Sequence, residues 1–187
     1  TATTEIYTLA LHDALPIYTK QRRTKKINYT AFLELNKEAV DLFYKSFPTN
    51  TWNGFRLLAI DGSTVQLENV DDIVEKFGLF TTSGRGVPMA RISQMFDVMN
   101  KITVNALIGP LDDGEREYAL DHILSLNRTD LLLLDRGYPA FWLFKLITSV
   151  GGNYCARVTT SLFKEVKKLI KTGKMETIIE LKASSPA

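Results

Sequence analysis

Two short apolar runs in this sequence end in the same way, with an aspartate followed within two residues by a glycine. They are Ala59-Ile60-Asp61-Gly62 and Leu133-Leu134-Asp135-Arg136-Gly137. Each run is typical of a buried strand whose carboxyl end lies at the surface of an α/β sheet. If the two strands are neighbours, Asp61 and Asp135 lie together at the edge where such sheets bind ligands. Asp-Gly is also a common turn, and each aspartate taken singly favours that structural role.

The hydrophobic periodicity around these runs predicts a mixed sheet with helices packed on its faces, in the order β-β-β-α-β-α-β. A helix with Thr30 as its N-cap and Pro48 as its end precedes the sheet, and residues 70–88 are expected to form a long loop with one helical turn. The other predicted elements are strands 55–61 (with 63–67 as an extension or hairpin partner), 89–100, 102–109, 131–134, 154–158 and 176–181, and helices 114–126, 141–150 and 162–170.

Charge is distributed unevenly along the chain. Residues 18–47 and residues 157–182 each carry seven Lys or Arg against three Asp or Glu, whereas residues 48–156 carry nine against thirteen. Basic ends around an acidic centre suit a protein that binds phosphates at its edges and cations in its middle. Solvated helix faces explain the same charges, and composition alone does not separate the two interpretations.

Other features limit the class of protein. The single cysteine, Cys155, lies in an apolar run, which predicts a buried, unreactive thiol and fits a reducing cytoplasm. No apolar stretch has the length of a membrane span, and the N-terminus lacks the basic start of a signal peptide. Residues 1–17 have no helical or strand period and resemble a translated sequencing-adapter tail, so we expect them to be non-native or disordered.

Two adjacent carboxylates repel each other unless a cation lies between them. Oxygen ligands of this kind suit Mg²⁺, and paired divalent ions activate the attacking oxygen and stabilise the leaving oxygen in phosphodiester chemistry. The matched aspartates therefore favour a metal-dependent site as strongly as they favour two ordinary turns.

Three stretches of the sequence add a resemblance. They are Thr51-Trp52-Asn53-Gly54-Phe55-Arg56-Leu57-Leu58-Ala59-Ile60-Asp61-Gly62-Ser63-Thr64, then Phe96-Asp97-Val98-Met99-Asn100, and then Asp135-Arg136-Gly137-Tyr138. With the stretches in this order and the two acids at this spacing, residues 18–182 resemble the insertion-sequence-four family of DDE transposases. The first stretch is similar to the family's motif around its first acid, and the last is similar to its second-acid motif.

The resemblance implies an RNase H-like α/β fold with a mixed sheet flanked by helices, followed by the start of a β-rich insertion. It implies Mg²⁺ or Mn²⁺ as cofactor, with Asp61 and Asp135 as catalytic metal ligands, and cleavage and strand transfer at the DNA ends of a transposon. The expected organisation is a tail (1–17), a basic and helical segment (18–50), a partial catalytic core (51–158) and the start of the insertion (159–187). A prokaryotic, cytoplasmic DNA-binding protein that forms a homodimer when complete, with no membrane partner, is expected.

The sequence departs from the family at its third acid, a glutamate in a Tyr-Arg-Glu-Lys signature that this chain lacks. We therefore expect a fragment that is truncated at both ends, with weak metal binding and no turnover. Glu165, on the predicted helix 162–170, is a weak substitute, because its lysine-rich neighbours are typical of a solvated helix face. A resolvase-type RNase H-like nuclease and an inactive DNA-binding remnant remain as alternatives.

Basic side chains supply candidate contacts to DNA phosphates. Arg85 lies in a glycine-containing loop that permits close approach to a backbone, and Arg136 follows the second aspartate. A plain flexible loop is the alternative for the Arg85 stretch, and pairing with a carboxylate is the alternative for Arg136. Asp97 is interpreted as a hydrogen-bonded turn residue rather than as a metal ligand. The other candidate DNA contacts form a basic patch: Lys20, Arg22, Arg23, Lys25 and Lys26.

Overall fold

The computed structural model describes residue 28, residues 30–81, residue 84 and residues 86–181. The chain forms two compact units, residues 1–35 and residues 36–187, and the sheet lies entirely in the second. The interpretations of residues 1–17 and of the basic patch between Lys20 and Lys26 fall outside the described residues, as does Arg85.

Five helices and five strands alternate along the described part of the chain, close to the predicted order. They are α1 (Thr30–Ser46), β1 (Arg56–Gln66), α2 (Asp71–Phe77), β2 (Met89–Asp97), β3 (Ile102–Pro110), α3 (Glu115–Ile123), β4 (Asp130–Leu134), α4 (Phe141–Ser149), β5 (Asn153–Ala156) and α5 (Lys164–Thr172). None of these helices combines the length and the apolar composition that crossing a bilayer would require.

The strands form one mixed sheet in the order β3-β2-β1-β4-β5. β1, β2 and β3 pair antiparallel, whereas β4 pairs parallel to β1 and β5 pairs parallel to β4. The parallel pairs need crossover connections, and α3 and α4 lie in them as helical crossovers. This arrangement confirms the predicted α/β fold class and is consistent with an RNase H-like fold.

The core lies where α3 and α4 pack against the sheet. It consists of alternate strand residues and the facing residues of the two helices, because successive strand side chains point to opposite faces. Its buried members are Leu58, Ile60, Met95, Ala119, Ile123, Leu126, Leu132, Leu134, Tyr138, Leu143, Phe144 and Ile147. The periodicity of the runs around Asp61 and Asp135 therefore identified the strands at the centre of the fold.

One polar side chain, His122 of α3, is fully buried in this layer. Its Nδ1 lies 3.3 Å from the amide nitrogen of Asn105, and its Nε2 lies 3.1 Å from the hydroxyl of Ser93. Because an amide nitrogen donates, Nδ1 accepts and the proton of the neutral ring lies on Nε2. Burial lowers the pKa of His122 below its ordinary value of 6.5, and the charge of Asp121 and a hydrogen bond with the Ser93 backbone oppose that shift.

This shift makes stability depend on pH. The unfolded chain binds a proton on His122 at higher pH than the folded protein does, so the free energy of unfolding falls as pH decreases below about 6.5. We expect urea titrations at about pH 7.5 and 5.5 to show a loss of up to about 1.4 kcal/mol per pH unit. His122→Gln should show a smaller loss. The other histidine of the chain, His12, is the same in both proteins, so the difference between them reports on His122. Equal pH dependence in the two proteins would refute this role.

A second polar network stabilises the N-terminal end of β1, where Arg56 is the first residue. The Arg56 guanidinium donates to both oxygens of the buried Asp130 carboxylate at 2.8 Å, and it lies 5.0 Å from the Tyr44 ring centre. The Tyr44 hydroxyl donates to Asp97 at 2.7 Å. Asp97 also accepts from the backbone N–H groups of Met99 and Asn100. These bonds place Asp97 in the structural turn role that the sequence indicated, because its oxygens are already occupied by donors.

The predicted extension over 63–67 is confirmed, because β1 continues to Gln66 through its pairing with β2. Three other predictions about local structure are wrong. Cys155 is exposed rather than buried, since on the edge strand β5 its neighbours Tyr154 and Ala156 are the residues that pack on the core. Residues 176–181 form no strand, and Ile178 is fully exposed. Thr30 is the first residue of α1, and its N–H donates to Asn28 Oδ1.

Candidate functional site

Asp61 and Asp135 each come shortly after a matched position on two adjacent parallel strands. The pairing of β1 with β4 matches Arg56 with Asp130 and ends where Ala59 is matched with Leu133. Asp61 and Asp135 each come two residues later in the chain. Asp135 follows the last residue of β4, and β1 continues past that point with β2 alone. The sheet therefore brings the two predicted acids to one edge.

The Asp61 side chain is exposed, and its Oδ1 accepts from the backbone N–H of Gly62 at 2.9 Å. It lines a shallow pocket of about 250 Å³ on the sheet, together with Ala59, Gly62, Ser63, Ile92, Gln94 and Phe96. The carboxylate has lone pairs left after one hydrogen bond and lies beside an accessible concavity. It is free to accept a further ligand.

Asp135 begins the tight turn after β4, in which its carbonyl accepts from the backbone N–H of Tyr138 at 3.1 Å. Its carboxylate lies 3.8 Å from Nη1 of Arg157, and both side chains are about two-thirds exposed (66% and 64%). Exposed ion pairs of this length contribute little, about 0–1 kcal/mol. The pair therefore leaves Asp135 available to a cation and Arg157 available to an anion.

A third carboxylate, which the sequence did not single out, lies close to the glycines that follow the two acids, on the face of β1 that carries α3. Glu115 is the first residue of α3. A methyl group built on Gly62 would lie 3.3 Å from its Oε1, and one built on Gly137 would lie 3.5 Å from its Oε2. Nη1 of Arg91 lies 3.0 Å from Oε1. The Glu115 carboxylate therefore lies between the glycines that follow the two predicted acids.

The buried Tyr138 phenol is the second feature that the sequence did not identify. The residue is 3% exposed, and its hydroxyl has no hydrogen-bond partner within the described part of the chain. Burial, followed by the negative charges of Glu115 and Asp61, raises its pKa to about 12, while Arg91 acts in the opposite direction. The charged groups that act on this phenol are thus those of the site.

Arginines lie around Glu115 and around the turn that begins at Asp135. Besides Arg91 and Arg157, Nε of Arg116 donates to the carbonyl of Gly137 at 3.0 Å. Arg136, predicted to contact phosphate, is exposed in the turn after β4. Glu165, the weak substitute for the third acid, is half-buried in the first turn of α5. The site thus combines carboxylates with guanidinium groups, which suit a cation and a phosphate respectively.

The donors at this edge are oxygens, which are the ligands that Mg²⁺ and Mn²⁺ take in proteins. Asp61 and Asp135 would hold such an ion from the two strands. Over the described ranges, however, no three His, Cys, Asp or Glu side chains converge closely enough to hold a metal ion. The chemistry of the donors fits a hard divalent cation, but the described residues supply no group of three such ligands.

No protein-family model and no curated protein matches the chain.

Proposed function

We propose that this chain carries the two aspartates of a metal-dependent phosphodiester site acting on DNA, as part of a DDE-type transposase that cleaves and transfers strands at transposon ends. The observation that supports the proposal is that Asp61 and Asp135 each come two residues after Ala59 and Leu133, the last matched pair of the adjacent parallel strands β1 and β4. Two unrelated Asp-Gly turns have no reason to follow the same matched pair. The insertion-sequence-four resemblance supplies the choice of transposase within that chemistry.

The proposed roles of the residues follow from their positions. Asp61 and Asp135 hold Mg²⁺ or Mn²⁺, which supplies charge neutralisation and activation of the attacking oxygen in phosphodiester chemistry. Arg136 and Arg157 are exposed beside Asp135 and are placed to pair with DNA phosphates. The shallow pocket beside Asp61 leaves room for a DNA strand at that face. The substrate is therefore a polyanion held against a cation site.

The first test is Mn²⁺ binding, measured by titration calorimetry on the whole chain. We expect Asp61→Asn and Asp135→Asn each to weaken Mn²⁺ binding by roughly tenfold or more, because even the outer-shell partners of metal ligands contribute about 10–100-fold. Asp72→Asn is the matched control, since Asp72 is an exposed acid in the first turn of α2. Unchanged Mn²⁺ binding in both site variants would mean that the two Asp-Gly motifs are ordinary turns.

The second test addresses the substrate. We expect Mn²⁺ to strengthen binding of a fluorescent DNA duplex by the wild-type chain, and to have no such effect on Asp61→Asn or Asp135→Asn. DNA binding that ignores Mn²⁺ would favour the inactive DNA-binding remnant instead. A marked preference for a four-way junction over a linear duplex would favour the resolvase-type nuclease. Each outcome is read by fluorescence anisotropy at one fixed salt concentration, because phosphate contacts depend strongly on salt.

A further inference from the structure

Four exposed lysines follow one side of α5, and we call them the lysine stripe. They stand at positions i, i+3, i+4 and i+7, the spacing of neighbours on one side of a helix: Lys164, Lys167, Lys168 and Lys171. Over the described ranges of the chain, none of the four makes an ion pair. The one acid of this helix, Glu165, is half-buried and lies off the stripe. The exposed side of α5 therefore carries positive charge alone.

A helix face that only meets water usually mixes the two signs of charge. In α1, for example, Asp41 stands four residues from both Lys37 and Lys45. In the lysine stripe, by contrast, like charges three and four residues apart repel each other. Lys164 is also the first residue of α5, where the helix dipole disfavours a cation. The stripe therefore costs stability unless an anion lies against it.

The opposite side of α5 is partly covered by the protein itself. Phe163, just before the helix, packs against the core, and its ring centre lies 6.1 Å from that of Phe144 in α4. Of the apolar residues in α5, Val166 and Leu169 are half-buried and Ile170 is exposed. A helix that lies in a lipid surface needs a broad apolar side that is free to enter it. α5 offers its charges instead, which favours a soluble polyanion as partner.

The chain that leads into α5 leaves the sheet beside Asp135. The backbone N–H of Arg157, one residue past β5, donates to the carbonyl of Leu134 at 2.9 Å. The Arg157 guanidinium lies 3.8 Å from the Asp135 carboxylate. The lysine stripe begins at Lys164, seven residues after Arg157. Exposed cations therefore stand both at the candidate site and on the helix that follows it.

We propose that the lysine stripe of α5 binds the phosphate backbone of DNA. This inference rests on the proposed function, which makes DNA the substrate. Lys164 and Lys171 are separated by roughly 10 Å along the helix axis, at about 1.5 Å per residue. Phosphates of one strand repeat every 3.4 Å or so along a duplex, so the stripe spans about three of them. Contacts to phosphates position DNA and do not read its sequence.

The test is the salt dependence of DNA binding, measured by fluorescence anisotropy on the whole chain in EDTA, so that no divalent ion contributes. We expect Lys164→Gln/Lys168→Gln to weaken binding of a fluorescent duplex. The slope of log K against log salt should fall in magnitude by roughly two, about one for each lost phosphate contact. Both lysines are exposed and repel each other, so the variant is expected to fold. Lys167→Gln/Lys171→Gln should reproduce the effect with the other half of the stripe.

The matched control is Lys37→Gln/Lys45→Gln, which removes two exposed lysines from α1. This variant loses the same net charge and should keep the wild-type slope. Equal reductions in the stripe variants and the control would overturn the proposal, because net charge alone would then explain binding. Wild-type binding to phosphatidylserine-containing vesicles but not to the duplex would assign the stripe to a lipid surface, and would overturn it too.

The Mn²⁺ measurements separate this inference from the proposed function. If Mn²⁺ strengthens DNA binding as expected but the stripe variants keep the wild-type slope, the further inference alone fails. If the stripe variants lose slope and the control does not, while Mn²⁺ has no effect on the wild type, the proposed metal site fails and the DNA surface stands. If the wild type binds no DNA, both proposals fail.

Discussion

Replacing Asp130 with alanine is expected to lower the free energy of unfolding by roughly 3–5 kcal/mol, because it leaves the Arg56 guanidinium without its partner. Asp130 is fully buried, and its oxygens accept from Nε and Nη2 of Arg56, both at 2.8 Å. Its Oδ2 also accepts from the backbone N–H of Asn127 at 2.7 Å. One substitution therefore removes an ion pair and a bond that fixes the turn before β4.

The loss is measured by urea denaturation of wild type and Asp130→Ala. The informative control is the double variant Arg56→Met/Asp130→Leu, in which apolar side chains replace both charges. We expect the double variant to be more stable than Asp130→Ala, because a missing partner costs more than a missing pair. A decrease of less than about 1 kcal/mol for Asp130→Ala, the range of an exposed ion pair, would show that the interior tolerates the unpaired guanidinium.

The second large effect is expected at Leu132, at the centre of β4. Leu132 is fully buried against the core, and Leu132→Ala should cost about 2–5 kcal/mol through lost burial and the cavity that remains. Leu124→Ala is the control, because Leu124 is 64% exposed just after α3. That substitution should stay within about 0.5 kcal/mol. Similar losses in the two variants would mean that the centre of the sheet is less tightly packed than its burial indicates.

The sheet could be predicted because its central strands have strong local patterns. The apolar runs before Asp61 and Asp135 identify β1 and β4, and the alternation in 89–109 identifies the hairpin of β2 and β3. The residue types around each acid leave open whether the two strands are neighbours. The sequence could not set the exact register, which depends on tertiary pairing between segments that lie far apart along the chain.

The errors arose where local pattern and tertiary environment disagree. The local pattern predicts a buried Cys155 because its neighbours are apolar. However, β5 is an edge strand, and Cys155 lies on the face of this strand that the core does not cover. Residues 176–181 have strand-forming composition without a strand to pair with. In each case the missing information is which other segment lies alongside.

Glu115 and Tyr138 were missed for a different reason. An acid in the first turn of a helix is ordinary, because it interacts favourably with the helix dipole, so Glu115 gave no distinct signal. Tyr138 fits the aromatic position of the second-acid motif, and nothing in the sequence shows that its hydroxyl is buried without a partner. One local signal was present: both Gly62 and Gly137 closely follow the proposed acids. Small residues there indicated that another group approaches closely.

The long stretch of chain between β1 and β4 also sets the order in which the protein assembles. The hairpin of β2 and β3 closes through the short connection 98–101, so its pairing has little chain entropy to overcome. The parallel pairing of β1 with β4 must instead close a long loop that includes this hairpin and α3. Contacts between distant segments form slowly compared with local ones. The edge that joins Asp61 to Asp135 is therefore expected to form late in folding, after the hairpin.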